Sequence, residues 1–100
     1  MISGYKVLWT ENALYELKST IEYLEKQFSA KEIKNLAIKI ETVIELISKN
    51  PFLFPNSEIK EIRRVSILRY NTLYYRIVGD QVHILSFFSN RQNPKSRKLN

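Results

Sequence analysis

The sequence predicts an α+β fold: an N-terminal strand, an antiparallel helical hairpin, then a three-stranded antiparallel meander, with the helices packed on one face of a four-stranded sheet. Three observations predict it. Apolar residues recur at three- and four-residue steps from Leu14 to Ile47, the spacing of a helix face. The period drops to two after Ile62, as on a strand. Almost no chain separates the two helical segments, so they must fold back on each other.

The elements follow in order. Tyr5 to Trp9 is a run of β-formers that places Tyr5, Val7 and Trp9 on one face. Thr10 offers its hydroxyl as N-cap, and Glu11 sits in the first turn, where the helix dipole favours a negative charge. The first helix carries Leu14, Leu17, Ile21, Leu24 and Phe28 as its apolar stripe. Ser29-Ala30-Lys31-Glu32 has the capping-box pattern and starts a second helix. The stripe of that helix is Ile33, Leu36, Ala37, Ile40, Val43, Ile44 and Ile47, and Asn50-Pro51 stops it.

Pro51 to Ser57 is an irregular connection carrying Phe52, Leu53 and Phe54. Strands are predicted over Ile62 to Leu68, Thr72 to Val78 and Gln81 to Phe88. The last two flank Gly79-Asp80, a two-residue hairpin turn in which glycine supplies positive φ. The final strand is apolar on both faces, which predicts a central place in the sheet. An antiparallel sheet is the economical arrangement, joined by the first strand because Trp9 must be buried. Residues 1–100 form a single domain with a polar, basic tail from about Asn93, expected to fray. One hundred residues, 44% of them hydrophobic, suit one core and leave no material for a second.

The net charge of +6 is uneven. Up to Ile59, seven lysines face eight glutamates; from Lys60 onward, nine basic residues, including every arginine, face only Glu61 and Asp80. Such a split points to a polyanionic partner, either nucleic acid or an acidic protein segment. No apolar run approaches a membrane span, and the N-terminus lacks the pattern of a signal peptide, so a cytoplasmic protein with no membrane partner is expected. The absence of cysteine excludes disulfides and thiolate chemistry. His83 is the sole histidine and reads as a packed or half-exposed strand residue rather than a metal ligand. Two glycines cannot form a phosphate cradle. No metal and no cofactor are expected. The glutamates read as solvated helix faces beside lysines, as in Glu22/Lys26 and Glu45/Lys49.

Arginine and tyrosine on the sheet remain. Arginine grips phosphate in a planar, two-point fashion, and aromatic rings stack on unpaired bases, a combination that suits single-stranded RNA or a phosphate backbone. Candidates for target or phosphate binding are Lys60, Arg69, Tyr74 and Arg76, and Arg64 and Arg91 also lie in or beside the last three strands. Tyr75 shares a strand face with Leu73 and Ile77 and is expected in the core, whereas Tyr74 is expected to expose its ring. Arg63 and Arg64 are neighbours and must point to opposite faces, so only one of them lines a surface shared with Arg76 or Arg91.

Trp9-Thr10-x-x-Ala13-x-x-x-Leu17-x-x-x-Ile21-x-Tyr23-Leu24 resembles the opening of RelE/ParE family toxins. Similar to that family too are Arg64, the run Leu73-Tyr74-Tyr75-Arg76-Ile77, Gly79-Asp80-x-Val82-x-Ile84-Leu85, and the basic ending Asn90-Arg91-Gln92-Asn93-Pro94. The likeness spans roughly Tyr5 to Pro94, and order and spacing together carry it. It implies the toxin of a type II toxin–antitoxin pair, with a helical hairpin on an antiparallel sheet and a cognate antitoxin as partner, in a complex that can assemble to higher order. In one branch, RelE-like toxins cut messenger RNA on the ribosome; in the other, ParE-like toxins poison DNA gyrase. Arg64 and Arg91 match the family's recurrent arginines, and the resemblance makes them the candidates for catalysis if the protein is a nuclease. Cleavage through the ribose 2′-OH needs a proton acceptor and a proton donor, yet no tyrosine, histidine or glutamate follows Arg91, and Ser89 stands where many ParE-like members have histidine. The long, uninterrupted helices are also more ParE-like. The expectation is a toxin that acts by binding, with message cleavage second and a degenerate member that only binds its antitoxin third. Phe52, Leu53 and Phe54 are the candidate antitoxin contacts, against the plainer reading that they cap the domain's own core.

Overall fold

A computed structural model describes residues 4–90. The order is β1 (Lys6–Trp9), α1 (Glu11–Gln27), α2 (Ala30–Lys49), β2 (Arg63–Ile67), β3 (Asn71–Val78) and β4 (Gln81–Ser89). The strands form one sheet in the order β1-β4-β3-β2. The predicted elements and their order are all present. The expected fraying tail from Asn93 lies outside the described residues.

The sheet departs from the expectation in one respect. β1 pairs with β4 in parallel, Lys6 opposite Gln81 and Trp9 opposite Ile84, so the sheet is mixed. The helical hairpin intervenes between β1 and the meander, and a parallel pair needs such a long crossover. Within the meander β2–β3 and β3–β4 are antiparallel. Gly79, at φ +63°, makes the β3–β4 turn, and β4 is central as its two-sided apolarity predicts.

Tyr75, Leu73, Val82, Ile84, Phe87, Val65 and Ile67 from the sheet meet Leu24, Leu36, Val43 and Ile47 from the helices in a single core. β1 adds half-buried Val7 and Trp9. The stripe of α2 holds except at Ala37, which is exposed. The stripe of α1 is rotated from the expected one. Ala13, Leu17, Thr20 and Leu24 face inward, while Leu14 is 50% and Phe28 41% exposed. Small residues at positions 13 and 20 let α1 lie close against β4. Ser29 is the N-cap of α2, but its side chain makes no capping bond; the Glu32 amide donates to the Ser29 carbonyl instead, at 3.1 Å.

β1 pairs with β4 only as far as Ile84, which leaves the upper edge of β4 without a strand partner. The first turns of α1 cover that edge. Thr10 donates to the Ile84 carbonyl from both its amide (3.1 Å) and its hydroxyl (2.8 Å). Asn12 Nδ2 donates to the Leu85 carbonyl at 3.0 Å. Glu16 Oε1 accepts from the Phe87 amide at 2.9 Å and the Ser86 hydroxyl at 2.7 Å. Glu16 is therefore not a solvated helix residue. It satisfies a backbone donor that would otherwise lack a partner. Glu45 and Lys49 do form the expected surface pair, at 3.3 Å. Among the described residues no helix is long and apolar enough to cross a membrane.

Candidate functional site: the open face of the sheet

The helices cover one face of the sheet, and strand alternation sends every second side chain to the other. On β2 that open face receives Arg64 and Ser66, and on β3 Thr72, Tyr74 and Arg76. Arg64 stands opposite Tyr74, and Arg76 opposite His83. Both arginines are exposed, and neither forms an ion pair with a described residue. The structure thus brings Arg64, Tyr74 and Arg76 together. His83 joins them half-buried, its Nε2 3.0 Å from Gln81 Oε1. Among the described residues no cluster of three or more histidines or carboxylates could hold a metal ion.

Arg63 points the other way, as its neighbour's position requires. Its Nη1 donates to the Phe54 carbonyl at 2.6 Å, and its guanidinium lies 5.2 Å from the centre of the Phe52 ring, within cation–π range. The connection is tied down from inside as well. Pro51 is buried, and its carbonyl accepts the Tyr75 hydroxyl at 2.6 Å. Burial pushes the Tyr75 phenol up to about 12, against the opposing pull of the Arg63 charge and the Phe54 backbone. Phe54 packs against the core, but Phe52 and Leu53 are 57% and 52% exposed. The three-residue apolar run is thus divided between core and surface.

A β-bulge sets the upper part of the open face. Tyr74 pairs with Ser86 and Tyr75 with Ile84, so Leu85 is the extra residue on β4. The bulge shifts the alternation, which is why Val82, Ile84 and then Phe87 enter the core. Leu85, Ser86 and Phe88 line a cleft of about 200 Å³ with Tyr74 and with Ile59 and Ile62 from the loop before β2. Tyr74 is therefore half-buried in the wall of an apolar cleft rather than a freely exposed ring. Sequence reading missed this cleft. The two-sided apolarity of β4 was its only signal, and it identified a central strand without revealing the loop that folds over it.

The remaining candidates lie elsewhere. Arg69 is in the β2–β3 turn and borders a different cleft, of about 500 Å³, with Leu24, Leu36 and Glu32 of the helices. Lys60 is exposed in the loop before β2. Arg91 lies outside the described residues.

Residues 7–94 match the family model described as the ParE toxin of type II toxin–antitoxin system, parDE. No curated protein matches the chain. Among solved structures, a chain of the chromosomal ParDE system from P. aeruginosa is 16% identical with a TM-score of 0.73, covering 85% of this chain and 95% of that one. YoeB from Staphylococcus aureus, solved as a dimer, is 15% identical with a TM-score of 0.58, covering 84% and 94%. A chain of the E. coli DinJ-YafQ toxin–antitoxin complex is 9% identical with a TM-score of 0.60, covering 89% and 96%. At these identities the structural likeness is one of fold.

Proposed function

The chain belongs to the ParE toxin family of type II toxin–antitoxin systems, and from that premise we propose that it is a cytoplasmic toxin, silenced by a cognate antitoxin, that acts by binding DNA gyrase rather than by cutting RNA. The observation that carries this reading is the family match, which takes in both helices, β2 to β4 and all of β1 but Lys6. The chemistry of the open face supports a binding mode. Arg64 and Arg76 share a face with Tyr74, which lines an apolar cleft, a combination that suits a protein surface better than a charged nucleic-acid backbone. Exposed Phe52 and Leu53 are the antitoxin contacts we favour, since two adjacent open apolar side chains offer surface that a partner can bury. The test is expression of the chain alone and then with the small gene encoded beside it. Growth arrest that the neighbour relieves, together with gyrase–DNA cleavage complexes trapped by the purified protein, is the expected result. Active gyrase that the toxin leaves unaffected would refute the choice of target.

One observation favours a second reading. Arg64, Tyr74, Arg76 and His83 share the open face, which supplies cations for a phosphate, a phenol and an imidazole. Ribosome-dependent message cleavage is the reaction these groups suit. It predicts cut messages on translating ribosomes that disappear in the His83→Ala and Arg64→Ala variants. Intact messages with the wild-type chain would exclude it.

A further inference from the structure

The loop before β2 is built as a strap across the open face. The Ser57 amide donates to the Ile62 carbonyl at 2.7 Å, and the Arg64 amide donates to the Pro55 carbonyl at 3.1 Å, which ties the strap to the outer edge of β2. Glu61 holds φ +64° within it, a left-handed conformation that costs a non-glycine residue about 1 kcal/mol. That conformation reverses the chain so that Ile59 and Ile62 project over Tyr74, Leu85 and Phe88. Ile59 nevertheless remains 49% exposed. The fold therefore maintains a strained turn and a half-open apolar cleft on the face that the helices leave uncovered.

The size of the cleft limits its occupant. A cavity of about 150 Å³ holds one benzene ring, whereas sites for drug-sized ligands run to about 300–1,000 Å³. A cleft of about 200 Å³ thus takes one large side chain. The surrounding charge limits what can carry that side chain. Arg64 is the cross-strand neighbour of Tyr74, and Arg76 is two residues along β3 on the same face. Glu58 is the one acidic residue in the cleft's lining.

We propose that this cleft seats a single aromatic or branched side chain of an acidic segment on the toxin's protein target, with Arg64 and Arg76 gripping the flanking carboxylates. The proposal rests on the binding reading above and deepens it by naming the surface and the partner's chemistry. An apolar anchor at the centre with a polar rim around it is the usual anatomy of a protein interface. Arginine suits the ring because its planar fork takes a carboxylate at two points.

The experiment uses the full 100-residue chain, isotope-labelled for NMR, and three blocked pentapeptides: an acidic one with a central phenylalanine, its central-alanine counterpart, and a lysine-flanked phenylalanine version. The acidic phenylalanine peptide should shift the signals of Ile59, Ile62, Tyr74, Leu85 and Phe88, with saturation in the low-millimolar range, about what a single anchor supports. The other two peptides should bind about tenfold more weakly or worse, and Arg64→Glu with Arg76→Glu should weaken the first by a similar factor. Shifts centred elsewhere, equal binding of all three peptides, or no binding at about 10 mM would overturn the proposal. So would a single-stranded RNA hexamer that occupies the same residues more tightly than the peptide. A pull-down with purified gyrase runs in parallel. Its failure alone would refute gyrase as the target and leave the cleft's ligand chemistry standing on the peptide map.

Discussion

Replacing Tyr75 with phenylalanine removes one oxygen from the middle of the core, and its cost is calculable. The ring is fully buried, and its hydroxyl donates to the Pro51 carbonyl at 2.6 Å. Without that donor the carbonyl of a buried residue loses its partner, which costs about 1–3 kcal/mol. A loss near 2 kcal/mol lowers the melting temperature of a domain this size by roughly 8–16 °C. The same group makes a second prediction, in pH. Its folded-state value is raised from 10.0 to about 12, chiefly by burial. Between those values the folded chain holds a proton that the unfolded chain releases, so the wild type is destabilised as pH rises. The contribution is intact below pH 10 and is lost through about pH 12, with roughly 1.4 kcal/mol gone by pH 11. Tyr75→Phe has no phenol at this position and cannot lose it. Urea denaturation followed by circular dichroism at pH 8, 9, 10 and 11 should show a gap of about 2 kcal/mol at pH 8, narrowing above pH 10. Equal stability at pH 8, or a gap constant through pH 11, would refute the buried phenol–carbonyl bond and the account of its titration.

Other substitutions test the remaining contacts. Glu16→Ala should destabilise the chain by about 1–3 kcal/mol, read as a lower urea midpoint, because it strips the Phe87 amide and the Ser86 hydroxyl of their acceptor. Glu16→Gln keeps an acceptor oxygen and should recover at least half of that loss; if it does not, the role assigned to the carboxylate is wrong. Gly79→Ala meets no steric obstacle, since nothing lies within 4 Å of the added Cβ, but it forces alanine to φ +63°. A thermal melt should show a loss of about 1–2 kcal/mol from conformation alone, and an unchanged melt would count against the turn geometry.

Part of the site was legible before the fold was known. That Arg63 and Arg64 diverge, and that Tyr74 and Arg76 share a face opposite to Tyr75, follows from the two-residue repeat of a strand, and the structure has Arg64 exposed and Tyr75 buried accordingly. The same parity could not group Arg69 with the others or separate it from them, because Arg69 sits in a turn where the repeat lapses. Its place beside the helices depends on how the hairpin lies on the sheet.

Local rules are enough for six elements in order, the hairpin turn at Gly79, the central character of β4, and the concentration of cations from Lys60 onward. Each is expressed in the chemistry of neighbouring residues, through backbone dihedrals, periodicity or formal charge. Tertiary structure alone decided the parallel pairing of β1 with β4, the rotation of α1 that leaves Leu14 outside, the bulge at Leu85 and the grip of Glu16 on residues 70 and 71 positions away. These depend on which distant groups meet and on which backbone donors would otherwise lack a partner. A hydrophobic period records which face is buried, but not what lies against it.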